Sequence, residues 1–297
     1  KRRSLESLHM PIGQDAVQAA IPELRNDDRL IRYAARIALE HQPLDLWREP
    51  VLNAASVDTA LNGMLAMVRV AGKDAREPLL DKIYSIPFDS LTETQQILWL
   101  RVYGLIFMRL GEADAEDAEQ IRSRLEAEFP SVNASINSEI LKLLVYGESS
   151  SITGKAVSLL STAATQEEQI DIAKTLRHQL LGWTPESRRT YFKWFLQAAN
   201  YRGGASFTSF LENIQKDAVA KLSPQEADDL KVIIEKRIEQ SNPLNFAKRA
   251  VVKQWTVEEL LSLAEQELKG RDFNRGSRLF GEANCFACHR FIAPTRR

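Results

Sequence analysis

The sequence predicts an all-α chain: an α-solenoid of stacked helical pairs, then an irregular helical bundle, then a short terminal segment of different character. Three observations lead there. Glycine is scarce, with 13 in 297 residues, and the strict apolar–polar alternation of strands is nearly absent. Apolar residues recur instead at intervals of three and four. The helices so marked come in pairs with short connections, at a pair-to-pair spacing of roughly 30–40 residues, the range of helical repeat proteins. One such pair cannot bury its apolar face alone, whereas stacked pairs can.

Taken in order, the spacing predicts helices over 15–25, 27–40, 43–55, 57–71, 74–86, 91–110, 114–128, 134–147, 151–163, 166–181, 185–200, 206–220, 223–240 and 256–269, with a short one over about 272–283. In "DDRLIRYAARIALE" Leu30, Tyr33, Ala34, Ile37 and Ala38 fall on one face, with Asp28 and Arg32 placed to pair four residues apart. The stretch 91–110 is apolar on most sides, at Leu98, Val102, Leu105 and Ile106, and is expected to lie between neighbours. Met64 and Met67 read as core filler. Helix starts are marked at Thr165–Glu168 and Thr256–Glu259, where a hydroxyl and a later Glu each satisfy a free amide. Ser223–Pro224 and Thr184–Pro185 add proline at the first helical position. The acidic run 111–120 reads as a solvated helix start favoured by the helix dipole. The aromatic residues from Trp183 to Phe210 follow helical spacing and read as core. The expected division is a solenoid over 1–181, a helical continuation over 182–250 with a hinge near 239–248, and a separate module over 251–297.

Bulk properties exclude several functions. Net charge is −1, and no extended basic stripe exists, so nucleic acid is not an expected partner. No apolar run approaches the ~20 residues needed to cross a bilayer. No metalloprotease helix, nucleophile elbow, phosphate-binding glycine loop or dinucleotide fingerprint is present, so no catalytic residue is expected. His178 reads as an ordinary helical histidine, and His41 as a residue near helix C-terminal carbonyls.

Chemistry concentrates in "GEANCFACHRF", which holds both cysteines, Cys285 and Cys288, with His289 directly after the second. Attachment of haem c needs two thiols that add across two vinyl groups. Two intervening residues give that reach, and the following imidazole becomes the proximal iron ligand. The preceding amphipathic stretch, with Phe273, Leu279 and Phe280, is laid out like the first helix of a cytochrome c domain. Three other readings stay open: half of a zinc site, which lacks a second ligand cluster; a thioredoxin-like redox pair, which lacks its βαβ context; and an idle pair of thiols.

The stretches 27–47, 100–111, 188–230 and above all 255–291 resemble the HEAT-repeat and haem-binding region of the large membrane-bound dehydrogenases of planctomycetes and verrucomicrobia. The resemblance implies an upstream dehydrogenase module, helical repeats, and a c-type cytochrome module in which Cys285 and Cys288 form the thioethers and His289 ligates the iron. The haem c motif by itself leads to an expected periplasmic or exported location, and the resemblance implies a redox partner that is the dehydrogenase module of the same polypeptide or another redox protein. The chain departs from the family after His289, where "FIAPTRR" replaces a glycine-rich continuation. It begins at Lys1 rather than Met, and so reads as a piece of a longer protein carrying the attachment motif without a complete pocket, with the haem absent or incomplete when made in a reducing compartment. Two functions follow as expectations. One is a scaffold and haem-attachment region for electron transfer. The other is a protein-binding solenoid with no redox role.

Overall fold

The computed structural model describes residues 1–201, 203–204, 206–236, 253–267, 270, 272–283, 285 and 289. Among these the chain is all-α, with sixteen α-helices and no strand. In order they are α1 (Arg2–Glu6), α2 (Gln14–Ala20), α3 (Arg29–Glu40), α4 (Arg48–Leu52), α5 (Val57–Val70), α6 (Arg76–Tyr84), α7 (Glu93–Leu110) and α8 (Ala115–Leu125). There follow α9 (Ala134–Tyr146), α10 (Ile152–Thr162), α11 (Gln166–Leu176), α12 (Pro185–Ala198), α13 (Phe207–Val219), α14 (Pro224–Ile234), α15 (Val257–Glu267) and α16 (Phe273–Glu282).

The packing is that of a two-row stack. In the first row α1 packs on α3, α3 on α5, α5 on α7, α7 on α9, α9 on α11 and α11 on α13. Members of the second row, α4, α6, α8, α10, α12 and α14, back onto it, with α10 against α12 and α12 against α14. Each helix thus buries its apolar stripe against the next pair, which is how a repeat too small to have its own core acquires one. The core runs unbroken from Leu5 to Leu230 and includes fully buried Trp47, Trp99, Tyr103, Tyr191 and Phe192.

Helix α7 lies between neighbours as its all-round apolarity demands, touching α5, α6 and α9, with Trp99, Val102, Tyr103, Ile106 and Phe107 buried. Met64 and Met67 are fully buried in α5. Trp194 is buried and its indole N–H donates to Gln169 Oε1 at 2.9 Å, so that ring belongs to the core, whereas Phe210 is exposed. Capping boxes close at Ser223–Glu226 and Thr256–Glu259, and Thr184 pairs with Ser187 in a third. At Thr165 the hydroxyl accepts from Glu168 N–H.

Several local expectations are corrected. The stretch 43–55 is a 3-10 turn at Leu44–Leu46 followed by the short α4, because the indole of Trp47 turns inward to donate to Gln42 O at 3.3 Å. Helix α11 stops at Leu176 rather than 181, so His178 lies beyond it. There Gln179 takes over the backbone hydrogen bonding and Gly182 adopts φ +76°. Asp28 and Arg32 do not pair. The carboxylate caps α3 at Leu30 N, and Arg32 folds back to donate to Asn26 O and Asp27 O. The core face of α3 is Ala34, Ala35, Ala38 and Leu39, which leaves Leu30 and Tyr33 about half exposed. The small alanines let the helix approach closely along one edge, which rotates the larger side chains outward. The acidic run 111–120 begins α8 as expected, yet Asp117 is buried against the guanidinium of Arg76. His41 is the C-terminal cap of α3 and stacks on His9, the ring centroids 6.0 Å apart. The expected hinge at 239–248 lies outside the described residues.

Candidate haem-attachment site

The site is built from α16 and the residues just after it. Asp272 Oδ1 accepts from Arg275 N at 3.0 Å and starts the helix. Ala283 N–H closes it on Leu279 O at 2.8 Å. Two residues on, Cys285 is half-buried and carries a free thiol, with Sγ 3.9 Å from Ala283 O. His289 N–H donates to Cys285 O at 3.0 Å. That bond spans four residues, as in one α-helical turn, so it brings Cys285 and His289 to the same side of the backbone. The exposed His289 ring stands edge-on to Phe280, 6.1 Å between centroids. Cys288 lies outside the described residues.

The surroundings are apolar and open. Phe273 and Leu279 are exposed on α16. Elsewhere in the terminal segment Val257, Leu260 and Leu261 are exposed on α15. Trp255, just before α15, is half exposed beneath the ammonium of Lys253 at 3.9 Å. Among the described residues no group of three or more His, Cys, Asp or Glu is gathered to hold a metal ion. A porphyrin iron fits this arrangement: a free thiol at Cys285, an accessible imidazole one turn away at His289, and aromatic and aliphatic side chains beside them.

The methionines give the site no second iron donor among the described residues near it. Met64 and Met67 are enclosed in the solenoid, and Met10, in the bend before α2, and Met108, on α7, are exposed far upstream in sequence. No described helix is long and apolar enough to cross a membrane. Compared with known proteins, the chain matches no family model, no curated protein and no solved structure.

What sequence reading missed is an internal echo. Gln42 and Gln179 each follow a first-row helix, and each is preceded by His and followed by Leu and Trp, in "HQPLDLW" and "HQLLGW". Both amides are buried. Gln42 Oε1 accepts from Ile12 N and Gly13 N, and its Nε2 donates to Met10 O and Ala38 O. Gln179 Nε2 donates to Ser149 O and Leu181 O. In both places the Trp indole donates to the glutamine carbonyl, at 3.3 Å from Trp47 and 2.9 Å from Trp183. The separation covers four steps of the first row, roughly 34 residues each, which is the length of one helical-pair repeat.

Proposed function

We propose that this chain is the scaffold and haem-attachment region of an exported, multidomain oxidoreductase, with Cys285 and Cys288 as the thioether positions and His289 as the proximal ligand. The observation that carries the reading is the hydrogen-bonded turn from Cys285 O to His289 N, 3.0 Å, at the end of an amphipathic helix with its apolar residues exposed. Bound haem c would supply reversible one-electron transfer between ferric and ferrous iron. The chain's own residues do the rest. The thiols fix the position of the group covalently, the imidazole of His289 offers its nitrogen to the metal, and Phe280 restricts how that ring turns.

The stack of helices fits this role because electron-transfer rates fall steeply with distance, and a stiff mount holds distance constant. The redox partner is the dehydrogenase module of the same polypeptide or a separate redox protein. Thioether formation adds each S–H across a vinyl group and so needs both thiols reduced, which a dedicated haem-maturation system in an exported compartment such as the periplasm provides.

The test is to express the chain with a haem c maturation system in the periplasm and extract it with acidified acetone. The reading predicts that haem stays with the protein, and that Cys285→Ser yields the spectrum of a haem held by one thioether fewer. Complete extraction of the haem from the wild-type chain would refute it.

A further inference from the structure

The first row of helices carries a second feature, remote in sequence from Cys285 and His289. A groove of about 740 Å3 runs over the N-terminal ends of α3, α5, α7 and α9, from Arg29 to Ser135. Its floor is apolar, formed by Leu30, Tyr33, Ile97 and Leu98. Leu30 and Tyr33 are 46% and 54% exposed, which is unusual for large apolar side chains in the middle of a helical stack.

The lining is unbalanced in charge. Within the lining Arg29, Arg32, Arg36 and Arg101 face a single carboxylate, Asp58, which already accepts from Gln95 Nε2 at 3.1 Å, and Arg101 is held from outside the groove by Glu139 at 3.2 Å. Arg29 makes no ion pair among the described residues. Arg36 lies over the Tyr33 ring at 5.1 Å and shares one partner, Glu40, with Arg69, at 3.6 and 2.9 Å. The Nε of Arg36 is enclosed and has no hydrogen-bond acceptor. Burial, and then the charge of Arg69, lower the proton affinity of this guanidinium despite Glu40, as expected of a cation short of negative charge. The ends of four parallel helices add partial positive charge of about half a unit each. Of their caps, Asp28, Ser56, Thr92 and Asn133, only Asp28 brings a negative charge in return.

An electropositive rim over an aliphatic floor, in a chain of net charge −1, selects its ligand by complementarity. Single-stranded nucleic acid would want successive aromatic rings to stack on, and the groove offers one, Tyr33. We infer that this groove docks an acidic, extended peptide segment of a partner protein, whose carboxylates pair with Arg29 and Arg36 while a bulky apolar side chain lies on Leu30, Tyr33 and Leu98. Extended surfaces on stacked helices are suited to such segments.

A second groove, about 550 Å3, sits at the C-terminal ends of α9 and α11 and supplies the control. It too is lined by cations, but two of them have an acid to themselves, Lys174 with Asp171 and Arg177 with Asp217, while Lys142 shares Glu139 with Arg101.

The experiment uses the full 297-residue chain and a fluorescent peptide in which Asp and Glu flank Leu and Phe, read by anisotropy. Comparison probes are the same peptide with Lys in place of the acids, and a labelled oligothymidine. The acidic peptide is expected to bind, to weaken as salt rises, and to lose about tenfold in affinity with Arg29→Glu and with Tyr33→Ala. Lys174→Glu in the other groove is expected to leave binding within about twofold. Circular dichroism of each variant separates lost binding from lost fold. Absence of binding, equal binding of the Lys peptide, tighter binding of the oligonucleotide, or equal sensitivity to Lys174→Glu would each overturn the inference.

Discussion

Arg101 on α7 donates its Nε–H to Glu139 Oε1 on α9 at 3.2 Å, and the same kind of rung recurs along the first row. Glu40 of α3 meets Arg69 of α5, Asp58 of α5 meets Gln95 of α7, Ser138 of α9 meets Asp171 of α11, and Arg177 after α11 meets Asp217 of α13. Polar rungs on a solvent-facing edge set register between repeats more than they add stability, because exposed charges are well screened. The second row has a buried counterpart in Arg76, held by Asp117 and lying 5.7 Å from the Phe107 ring.

These two pairs are therefore expected to behave differently. A double-mutant cycle on Arg101 and Glu139 should return a coupling of about 0.5 kcal/mol. Asp117→Ala should cost more, about 2 kcal/mol, since it removes the buried carboxylate that holds Arg76, which keeps Glu77, and the acceptor of the Asp114 N–H. Urea denaturation of the four variants measures both. Equal costs would mean that burial does not distinguish the two rungs.

The paired glutamines give a second expectation. Gln42→Ala orphans the amides of Ile12 and Gly13, both of which donate to its carbonyl oxygen. The cost should be about 3 kcal/mol. Gln179→Ala should cost a similar amount, because its amide nitrogen serves Ser149 O and Leu181 O. Thermal melts showing less than about 0.5 kcal/mol for either would mean that the turn rearranges to satisfy itself.

Gly182 shows where a turn requires glycine. Its φ is +76°, and a Cβ added there would stand 1.9 Å from Ser150 O. Gly182→Ala is expected to destabilise by about 3 kcal/mol or to displace the 150–182 turn. In α10, Gly154 has nothing within 4 Å of an added Cβ. There the same substitution should stabilise the helix by about 0.5 kcal/mol. The opposite ranking in chemical denaturation would contradict this assignment.

His178 makes stability pH-dependent on the acid side. Burial, then the neighbouring charge of Arg177, lowers its pKa below the usual 6.5, and Asp217 opposes this only in part. Its Nε2 accepts from Arg177 Nε at 3.0 Å, which requires the neutral ring. The unfolded chain therefore binds a proton more readily than the folded one. The contribution is present above about pH 6.5 and is lost as pH falls through the lower folded value. The melting temperature of the wild-type chain should drop more between about pH 7.5 and about pH 5.5 than that of His178→Gln, whose amide oxygen can accept the same bond. Superimposable profiles would remove His178 from the account.

Much of the fold was legible in the sequence, and the misses have identifiable causes. Periodicity located nearly every long helix, because burial against two neighbours leaves a strong apolar stripe, as in α7. It erred on α3, where alanines rather than Leu30 and Tyr33 face the core. A hydrophobicity pattern ranks large residues above small ones, while close packing of helices prefers small ones. It overran at 166–181 because Leu180 and Leu181 continue the apolar spacing past the point where Gln179 ends the helix. The cysteine–histidine site was legible because its chemistry fits within five consecutive residues. The arginine groove was not, since Arg29 and Arg101 meet only when α3 and α7 are brought to one face. The His-Gln-to-Trp echo was present in the sequence throughout, and a self-comparison at an offset of four repeats, from Gln42 to Gln179, would have found it.

The central claim is that Cys285, Cys288 and His289 form a haem mount at the end of a helical stack. Its most direct measurement is the mass of the proteolytic peptide spanning Cys285–His289, after periplasmic expression with the maturation system. The account predicts a peptide heavier by one haem, absent from the doubly substituted Cys285→Ser, Cys288→Ser chain. A peptide of unmodified mass from the wild-type chain, under conditions where a control cytochrome c acquires its haem, would contradict it.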